Sequence, residues 1–235
     1  MILYTEEFGD GEPIIFLHTG LQTGQTELTE QKDYFMEKYK VILPDLRGHG
    51  KSVADDLNDY FNLTAQDLFE TMRHLEVESS HIVGCSIGAL VGLTFAKRYP
   101  NNTKSLTLSG IMPEKPDNWE QINEDQSKDT AKILKNPTLK SYFDQIHEGN
   151  WTKLLGLTRS ADWYPFELTK DLNTIGPPTL YIVGENNPLE VSGVIKYPKN
   201  NEQIHVAVIP YAGHNVHLEQ PDIYNAILKS FLHER

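Results

Sequence analysis

The chain has 235 residues and a formal net charge of −12 at pH 7, which fits one compact domain with room for an inserted subdomain. The acidic balance argues against nucleic acid and against a membrane surface as partners, because both reward clustered lysine and arginine. A single cysteine, Cys85, excludes an internal disulfide framework. The first residues carry no basic leader before an apolar run, and no apolar stretch approaches the roughly 18 residues of a spanning helix. These features predict a cytoplasmic protein.

Short apolar or β-branched runs alternate along the chain with longer segments of helical period, which is typical of α/β architecture. The short runs are nearly continuous in apolar residues, as in strands that are covered on both faces of a parallel sheet. The predicted strands are 13–18, 40–45, 80–86, 105–110, 179–184 and 205–211. The predicted helices are 64–77, 87–98 and 221–233.

The alternation breaks between residues 111 and 170. This segment has a polar helical part, NWEQINEDQSKDTAKILK, and then a concentration of large aromatic residues: Tyr142, Phe143, Trp151, Trp163, Tyr164 and Phe166. A disordered linker would be poor in such residues. The pattern predicts a core domain of residues 1–110 and 171–235 and a helical insertion of residues 111–170.

The pentapeptide Gly84-Cys85-Ser86-Ile87-Gly88 joins a predicted strand to a predicted helix. Glycines in such a turn remove the Cβ atoms that would block a sharp change of direction, so the central serine projects at the carboxyl edge of the sheet. Cys85 precedes the central position, and we interpret it as a small packed residue rather than a nucleophile.

Three more segments end strands in a fixed order: FLHTGLQTG (16–24), LPDLRGHGKS (43–52) and IPYAGHNVHLEQPD (209–222). The last contains His214, with His217 as a rival. A metal site at these two histidines is not indicated, because there is no adjacent glutamate as in H-E-x-x-H and no cysteine cluster. The chain also lacks a phosphate loop and a G-x-G-x-x-G motif after the first strand. We predict no metal and no other cofactor.

Together, the stretches LHTG, LPDLRGHGKS, GCSIGA and GHNVHLEQP resemble the α/β-hydrolase fold superfamily, in particular its small esterases, lyases and C–C hydrolases. The resemblance extends from about residue 12 to residue 233 and leaves only the insertion unmatched. It implies an α/β fold with a mostly parallel sheet, helices on both faces and a helical cap formed by the insertion.

The resemblance also implies roles for individual residues. Ser86 matches the nucleophile, and His214 matches the general base that takes the serine proton and later returns it to the leaving group. The backbone N–H of Ile87 matches one donor of the oxyanion hole. The second donor is expected in the turn after the first predicted strand, at Gly20 by position, with Leu21 as the near alternative.

The third member of the implied triad is the point at which this chain departs from its relatives. The usual pattern is G-E-x-D-P, whereas this chain reads Gly184-Glu185-Asn186-Asn187-Pro188, so Asn187 occupies the aspartate position. An amide offers no charge to the imidazolium, and Asp to Asn costs about 10⁴ in kcat in a serine protease. Three explanations stay open. Glu185 or Glu190 supplies the carboxylate, Asn187 orients His214 in a slower enzyme, or the pocket binds a ligand without rapid turnover.

The sequence therefore predicts a carboxylesterase-like serine hydrolase that cleaves an ester, thioester or related acyl bond of a small, largely apolar substrate through an acyl-Ser86 intermediate. Its activity is expected to be reduced if Asn187 is the third triad member. One alternative is a ligand-binding or sensing protein with a weakened hydrolase pocket, and another is a lyase or C–C hydrolase on the same site. The expected partner is a small acyl substrate, and nothing in the sequence indicates an oligomeric state.

Overall fold

A computed structural model describes residues 1–160 and 162–233, except for the side chain of Asn200. Within these residues, seven strands form one sheet: β1 (Thr5–Phe8), β2 (Glu12–Leu17), β3 (Tyr39–Pro44), β4 (Ser80–Cys85), β5 (Thr103–Ser109), β6 (Thr179–Gly184) and β7 (Ile204–Ile209). Their order across the sheet is β1-β3-β2-β4-β5-β6-β7. β1 is antiparallel to β3, and the other pairs are parallel. The predicted, mostly parallel α/β-hydrolase sheet is confirmed, and its six predicted strands correspond to β2 through β7.

Helices connect most of the successive strands from β2 onward. They are α1 (Gly24–Glu27), α2 (Thr29–Phe35), α3 (Tyr60–His74), α4 (Ile87–Arg98), α5 (Trp119–Lys135), α6 (Pro137–Ile146), α7 (Phe166–Thr169), α8 (Pro188–Val191), α9 (Gly193–Lys196), α10 (Val216–Glu219) and α11 (Pro221–His233). Short 3₁₀ helices occupy Pro100–Asn102, Trp151–Gly156 and Tyr197–Asn200. Among the described residues, none of the helices combines the length and apolar character that a bilayer crossing requires.

Both faces of the sheet are buried, as the continuous apolar runs predict. Along β2, Ile14 and Phe16 face one core, whereas Ile15 and Leu17 face the other, and each of the four is at most 1% exposed. This alternation follows from the period of two in a strand. Helices α2 and α11 cover the first core, and α3, α4 and parts of segment 111–170 cover the second.

The first strand is an element that sequence patterning did not predict. β1 has the sequence TEEF, and its side chains are half-buried or exposed. Glutamate is depleted in strands, so propensity and hydrophobicity both fail to mark this segment. The strand forms because Thr5–Phe8 pairs with the edge of β3, which gives a charged strand at the end of the sheet.

The crossover directions reverse between β2 and β4. From β2 the chain moves outward to β3, returns past β2 to β4, and then continues outward through β5, β6 and β7. In open α/β sheets, ligands bind in the crevice at the carboxyl ends of the strands beside such a switch point. The turns after β2 and β4 therefore meet at the place where a site is expected.

Segment 111–170 contributes α5, α6, a 3₁₀ helix and α7 between β5 and β6. Trp119 packs against Phe166 with ring centroids 5.0 Å apart, and Trp151 packs against Phe143 at 5.1 Å. Both tryptophans are at most 2% exposed. Most of the aromatic concentration is thus the packing of the segment itself, while the domain boundaries at 110 and 171 stay a prediction.

The turn between β4 and α4 depends on two glycines. A Cβ atom on Gly84 would lie 2.5 Å from the carbonyl of Gly88, and a Cβ atom on Gly88 would lie 2.3 Å from the carbonyl oxygen of Leu17. These distances allow α4 to begin directly against the ends of β4 and β2. The close approach brings the turn after β4 beside the turn after β2.

We expect Gly84→Ala to destabilise the protein by about 2 kcal/mol, within the range for overpacked sites, because the new methyl group meets backbone atoms that have no rotamer by which to move. Gly176→Ala is the matched control, since a Cβ there meets nothing within 4 Å, and its effect should stay within about 0.5 kcal/mol. Urea unfolding measures the free energy of unfolding of both variants, provided that the m-value is the same as in the wild-type protein. Equal midpoints for the two variants would contradict the packing account.

Candidate active site

Ser86 lies at the sharp turn between β4 and α4. Its backbone has φ 55° and ψ −121°, a conformation that costs a residue with a side chain of order 1–3 kcal/mol and is found mainly where function requires it. The Ser86 N–H donates to the Ser109 carbonyl at 2.9 Å, and the Ser86 carbonyl accepts from Leu90 N at 3.1 Å. These bonds hold the strained residue between β5 and the first turn of α4.

His214 follows β7 and is paired with a buried carboxylate. Its Nδ1 lies 2.6 Å from Oε1 of Glu190. The Glu190 side chain is 2% exposed and that of His214 is 44% exposed. The hydroxyl of Tyr181 donates to the Glu190 carbonyl at 2.8 Å, which fixes the short helix α8 against β6. Because Nδ1 bonds to the carboxylate, Nε2 is the nitrogen left to exchange a proton with a nucleophile.

Asn187 contacts the carboxylate and not the imidazole. Its Nδ2 donates to Oε1 of Glu190 at 2.6 Å, the oxygen that also bonds His214. Glu185 points elsewhere, because its Oε1 accepts from the backbone N–H of Tyr211 at 2.7 Å. Of the three residues that the sequence offers as partner to His214, the structure brings Glu190 to the ring.

The pair shifts the titration of both groups. Burial opposes a charge on His214, but the hydrogen bond and the negative charge of Glu190 outweigh it and raise the pKa of His214 above its ordinary value of 6.5. Burial also raises the pKa of Glu190, while the bond from His214 acts in the opposite direction. The imidazolium form of His214 is thus stabilised, as a general base requires at the moment it holds the serine proton.

The turn after β2 lies beside Ser86. Gly20, Leu21 and Ile87 all line a cavity with Ser86, and Leu21 has φ 63°. His18 shapes this turn: its Nδ1 donates to the Thr19 carbonyl at 2.7 Å, and its Nε2 accepts from Leu46 N at 2.9 Å. Because Nε2 accepts a hydrogen bond, the ring is neutral with both nitrogens engaged, and burial lowers the pKa of His18 in the same sense.

Two cavities meet at Ser86. The larger has a volume of about 280 Å³ and is lined by leucines of the turn after β2 and of the segment around the 3₁₀ helix Trp151–Gly156, and by a mostly polar face of α5 that includes Asp129 and Ile133. The smaller has a volume of about 200 Å³ and contains His214, Glu190 and Asn187. Gln126 of α5 and Trp163 line both. Residues of segment 111–170 therefore form walls of both cavities at Ser86.

Two other residues that the sequence offered, His217 and Cys85, take no part in the pairing of His214 with Glu190. His217 is 2% exposed, and its Nε2 bonds to Oε1 of Glu27 at 3.1 Å, so it does not share the carboxylate of His214. Cys85 is buried, and burial raises the pKa of its thiol, which opposes a thiolate nucleophile. In the part of the chain that the structure describes, no group of three or more His, Cys, Asp or Glu residues is arranged to hold a metal ion.

Comparison with known proteins places the chain in a family. A family model for the alpha/beta hydrolase fold matches residues 12–136, which is more than half of the 235 residues. The chain belongs to this family, whose fold brings a turn after β4 and a loop after the last strand to one edge of the sheet.

Several relatives cover nearly the whole chain. "Serine hydrolase BPHL" of Mus musculus is 25% identical over 98% of this chain and 82% of its own length. A "2-hydroxy-6-oxo-6-phenylhexa-2,4-dienoate hydrolase" of Burkholderia cepacia is 26% identical over 98% of this chain and 91% of its own length. Among solved structures, NosK from Streptomyces actuosus superimposes with a TM-score of 0.84 at 22% identity, covering 96% of this chain and 99% of NosK. The similarity to NosK shows a shared fold.

Sequence reasoning did not single out Glu27, Gln126 or Trp163 as residues near the site. Glu27 and Gln126 lie on helices whose local pattern reads as polar surface, and Trp163 is one aromatic residue among several in the insertion. Only the packing of the insertion over the sheet edge separates a cavity wall from a core residue. No local signal in the sequence carries this information.

We expect NMR titration of the imidazole of His214 to give a pKa above 6.5. Glu190→Gln should lower that pKa, because the neutral amide removes the charge that favours the imidazolium. The basic form of His214 is lost as pH falls through the raised pKa, so any reaction that needs this base should gain rate as pH rises through the same value. An unchanged pKa in Glu190→Gln would contradict the pairing.

Proposed function

We propose that this protein is a serine hydrolase that cleaves an ester, thioester or related acyl bond of a small, largely apolar substrate. One observation carries the proposal. A serine held in a strained turn shares a cavity with a histidine whose Nδ1 bonds to a buried carboxylate at 2.6 Å. Nucleophile, base and orienting group are the three parts that acyl transfer through serine requires.

Each residue has a defined step in the proposed reaction. His214 Nε2 takes the proton of Ser86 as the hydroxyl attacks the substrate carbonyl, and the N–H groups of Gly20 and Ile87 receive the resulting oxyanion. His214 then protonates the leaving group, which departs and leaves an acyl-Ser86 ester. A water molecule, deprotonated by His214, attacks this ester and releases the acid and free Ser86.

Glu190 is the proposed third member of the triad, and it answers the question that Asn187 raises. Its carboxylate supplies the charge that the amide lacks, from a position one turn along α8. Asn187 donates to the same carboxylate oxygen, so its proposed task is to orient Glu190 and to favour its ionised form. With a carboxylate on His214, the expected reduction of activity by an asparagine no longer follows.

The cavity walls support an apolar acyl group. The larger cavity contains the oxyanion residues Gly20 and Ile87, and leucine side chains of the turn after β2 and of the segment around the 3₁₀ helix Trp151–Gly156 line it, while α5 adds Ile133 together with polar residues at one wall. Burying a chain of methylene groups there is favourable by about 0.8 kcal/mol for each group. The small cavity beside His214 is left for the leaving group, which must lie within reach of Nε2 to be protonated.

A second candidate is a C–C hydrolase, because relatives named as hydrolases of 2-hydroxy-6-oxo dienoates are 26% and 27% identical and cover 98% of this chain. The same residues could serve that chemistry. The ligand-binding alternative rested on Asn187 as the partner of His214, and the contact between Glu190 and His214 favours turnover instead.

We expect Ser86→Ala to abolish p-nitrophenyl acetate hydrolysis, with a loss of at least about 10⁴ in kcat/KM, because no other group can form the acyl intermediate. The wild-type protein should react stoichiometrically with a fluorophosphonate probe at Ser86, as intact mass and peptide mapping show. Ser109→Ala is the matched control, since it removes a nearby buried serine hydroxyl and should leave labelling intact. Undiminished hydrolysis by Ser86→Ala would refute the proposal, and cleavage of dienoates without ester hydrolysis would favour the second candidate.

We expect Asn187→Asp, which restores the residue usual in relatives, to lower kcat by about tenfold or more at pH 7, or about 1.4 kcal/mol. Two carboxylates sharing one position raise the pKa of one of them, so the pair holds a proton and the support for His214 weakens. The pH–rate profile measures this change, and Asn186→Asp, one position away, is the control. A gain in kcat for Asn187→Asp would show that position 187 is the acid position after all.

A further inference from the structure

A second buried carboxylate lies beside the site, at Glu27 of α1. Its side chain is 1% exposed. Oε2 accepts from the backbone N–H of Thr19 at 2.6 Å, and Oε1 accepts from the Thr19 hydroxyl at 2.8 Å. Oε1 also lies 3.1 Å from Nε2 of His217. One carboxylate thus joins the turn after β2 to α10, the helix that follows His214.

The charge on this carboxylate is supported from all these sides. Burial raises the pKa of Glu27, but the hydrogen bonds from His217 and Thr19 outweigh burial and hold the pKa below its ordinary value. An ionised group that is buried and paired in this way is costly to disturb, because removing one partner leaves an uncompensated buried charge. The network therefore acts as a stiff connection between two loops.

The position of Thr19 gives this connection a consequence for the oxyanion hole. Its carbonyl accepts from Nδ1 of His18 at 2.7 Å, and its N–H and hydroxyl both bond to Glu27. The peptide between Thr19 and Gly20 is planar, so fixing the direction of the Thr19 carbonyl fixes the Gly20 N–H in the opposite direction. Gly20 lines the cavity with Ser86, and the proposed reaction needs its N–H there as a donor to the oxyanion.

The other end of the network reaches the general base. His217 is three positions after His214, at the start of α10, and its carbonyl accepts from Nε2 of Gln31 at 3.0 Å. His217 is buried, so it moves only with α10. Holding His217 against Glu27 therefore holds the loop that carries His214 at a set position relative to the turn at Gly20.

We propose that Glu27 is a positioning residue of the active site, which aligns the oxyanion donor Gly20 with the base loop of His214 by bonding to Thr19 and His217. This inference rests on the proposed hydrolase function and adds to it. Glu27 touches neither substrate nor reacting atoms. Glu27 acts by holding Thr19 through its N–H and hydroxyl, while His18 directs the carbonyl of the same residue, and by holding the short helix α10 through His217.

The test compares Glu27→Ala with the conservative Glu27→Gln in the full-length protein. Glu27→Ala should lower kcat by about 10²-fold with KM within about threefold, because a misdirected oxyanion donor is lost mainly in the transition state. Glu27→Gln should recover most of this loss, since an amide oxygen can accept the Thr19 N–H. His217→Gln, which keeps a hydrogen-bond donor for Glu27, should likewise have a higher kcat than His217→Ala.

A transition-state mimic separates positioning from a merely structural role. The Ki of an aryl trifluoromethyl ketone, whose adduct with Ser86 places an oxyanion in the hole, should rise by the same factor as kcat falls in Glu27→Ala. Binding of the carboxylic acid product should stay unchanged. Leu228→Ala, a core change in α11, serves as the comparison for lowered Tm and should retain kcat and Ki.

Glu12→Gln is the control for a carboxylate that is half-exposed and paired with Lys104 as well as with a histidine. Glu12 also lies beside a buried histidine, His81, at 3.5 Å, but at the opposite edge of the sheet, and kcat should not change. Folded Glu27→Ala with kcat and ketone Ki within twofold of wild type would overturn the proposal. A kcat for Glu27→Gln as low as that of Glu27→Ala would overturn it as well.

Failure of the hydrolase function would be recognised separately, by the absence of fluorophosphonate labelling in the wild-type protein. In that case amide hydrogen exchange of peptide 16–24 decides the positioning role. Exchange that is faster in Glu27→Ala than in wild type and Glu12→Gln, and close to wild type in Glu27→Gln, would support it. Equal exchange in all four proteins would overturn it, and His217→Ala, which removes the other partner of Glu27, gives the same readout if Glu27→Ala does not fold.

Discussion

The parallel register of β2, β4, β6 and β7 is the constraint on which the site depends. It brings the carboxyl ends of these strands to one edge of the sheet, so the turns that follow them meet although they are far apart in sequence. Ser86 follows β4, Gly20 follows β2, Glu190 follows β6 and His214 follows β7. Each of these residues has its place because of the strand before it, and residues of segment 111–170 line the cavities at the same edge.

Two buried carboxylates then hold the loops that the strands bring together at this edge of the sheet. Glu190 bonds to His214, and Glu27 bonds to Thr19 and to His217. In the proposed mechanism, the first carboxylate supports the charge that develops on His214, and the second holds the turn whose N–H receives the oxyanion of the substrate. Both are buried, so each interaction acts in a region of low dielectric where it is stronger than in water.

Sequence patterns predicted the strands from β2 to β7 and the turn at Ser86, because each depends on local features: a run of apolar residues or a pair of glycines. They did not predict β1, whose glutamates contradict strand propensity and whose pairing with β3 is a tertiary effect. They left Asn187, Glu185 and Glu190 open as partners of His214, because the direction of a side chain after a strand depends on where the following helix begins. Proline at position 188 starts α8, and the first turn of that helix carries Glu190 back toward the ring. The role of Glu27 had no local sign, because its partners lie 8 and 190 positions away.

The most direct test of the account is the single-turnover rate of Ser86 acylation by a p-nitrophenyl ester in Glu190→Gln and in Asn187→Ala. A carboxylate that orients the base and stabilises its charged form is worth about 10⁴ in rate in a comparable triad, whereas a residue that only orients that carboxylate is worth far less. The account predicts a loss of about 10³ to 10⁴ for Glu190→Gln and a loss within about tenfold for Asn187→Ala. The reverse order, with Asn187→Ala the more impaired variant, would contradict it.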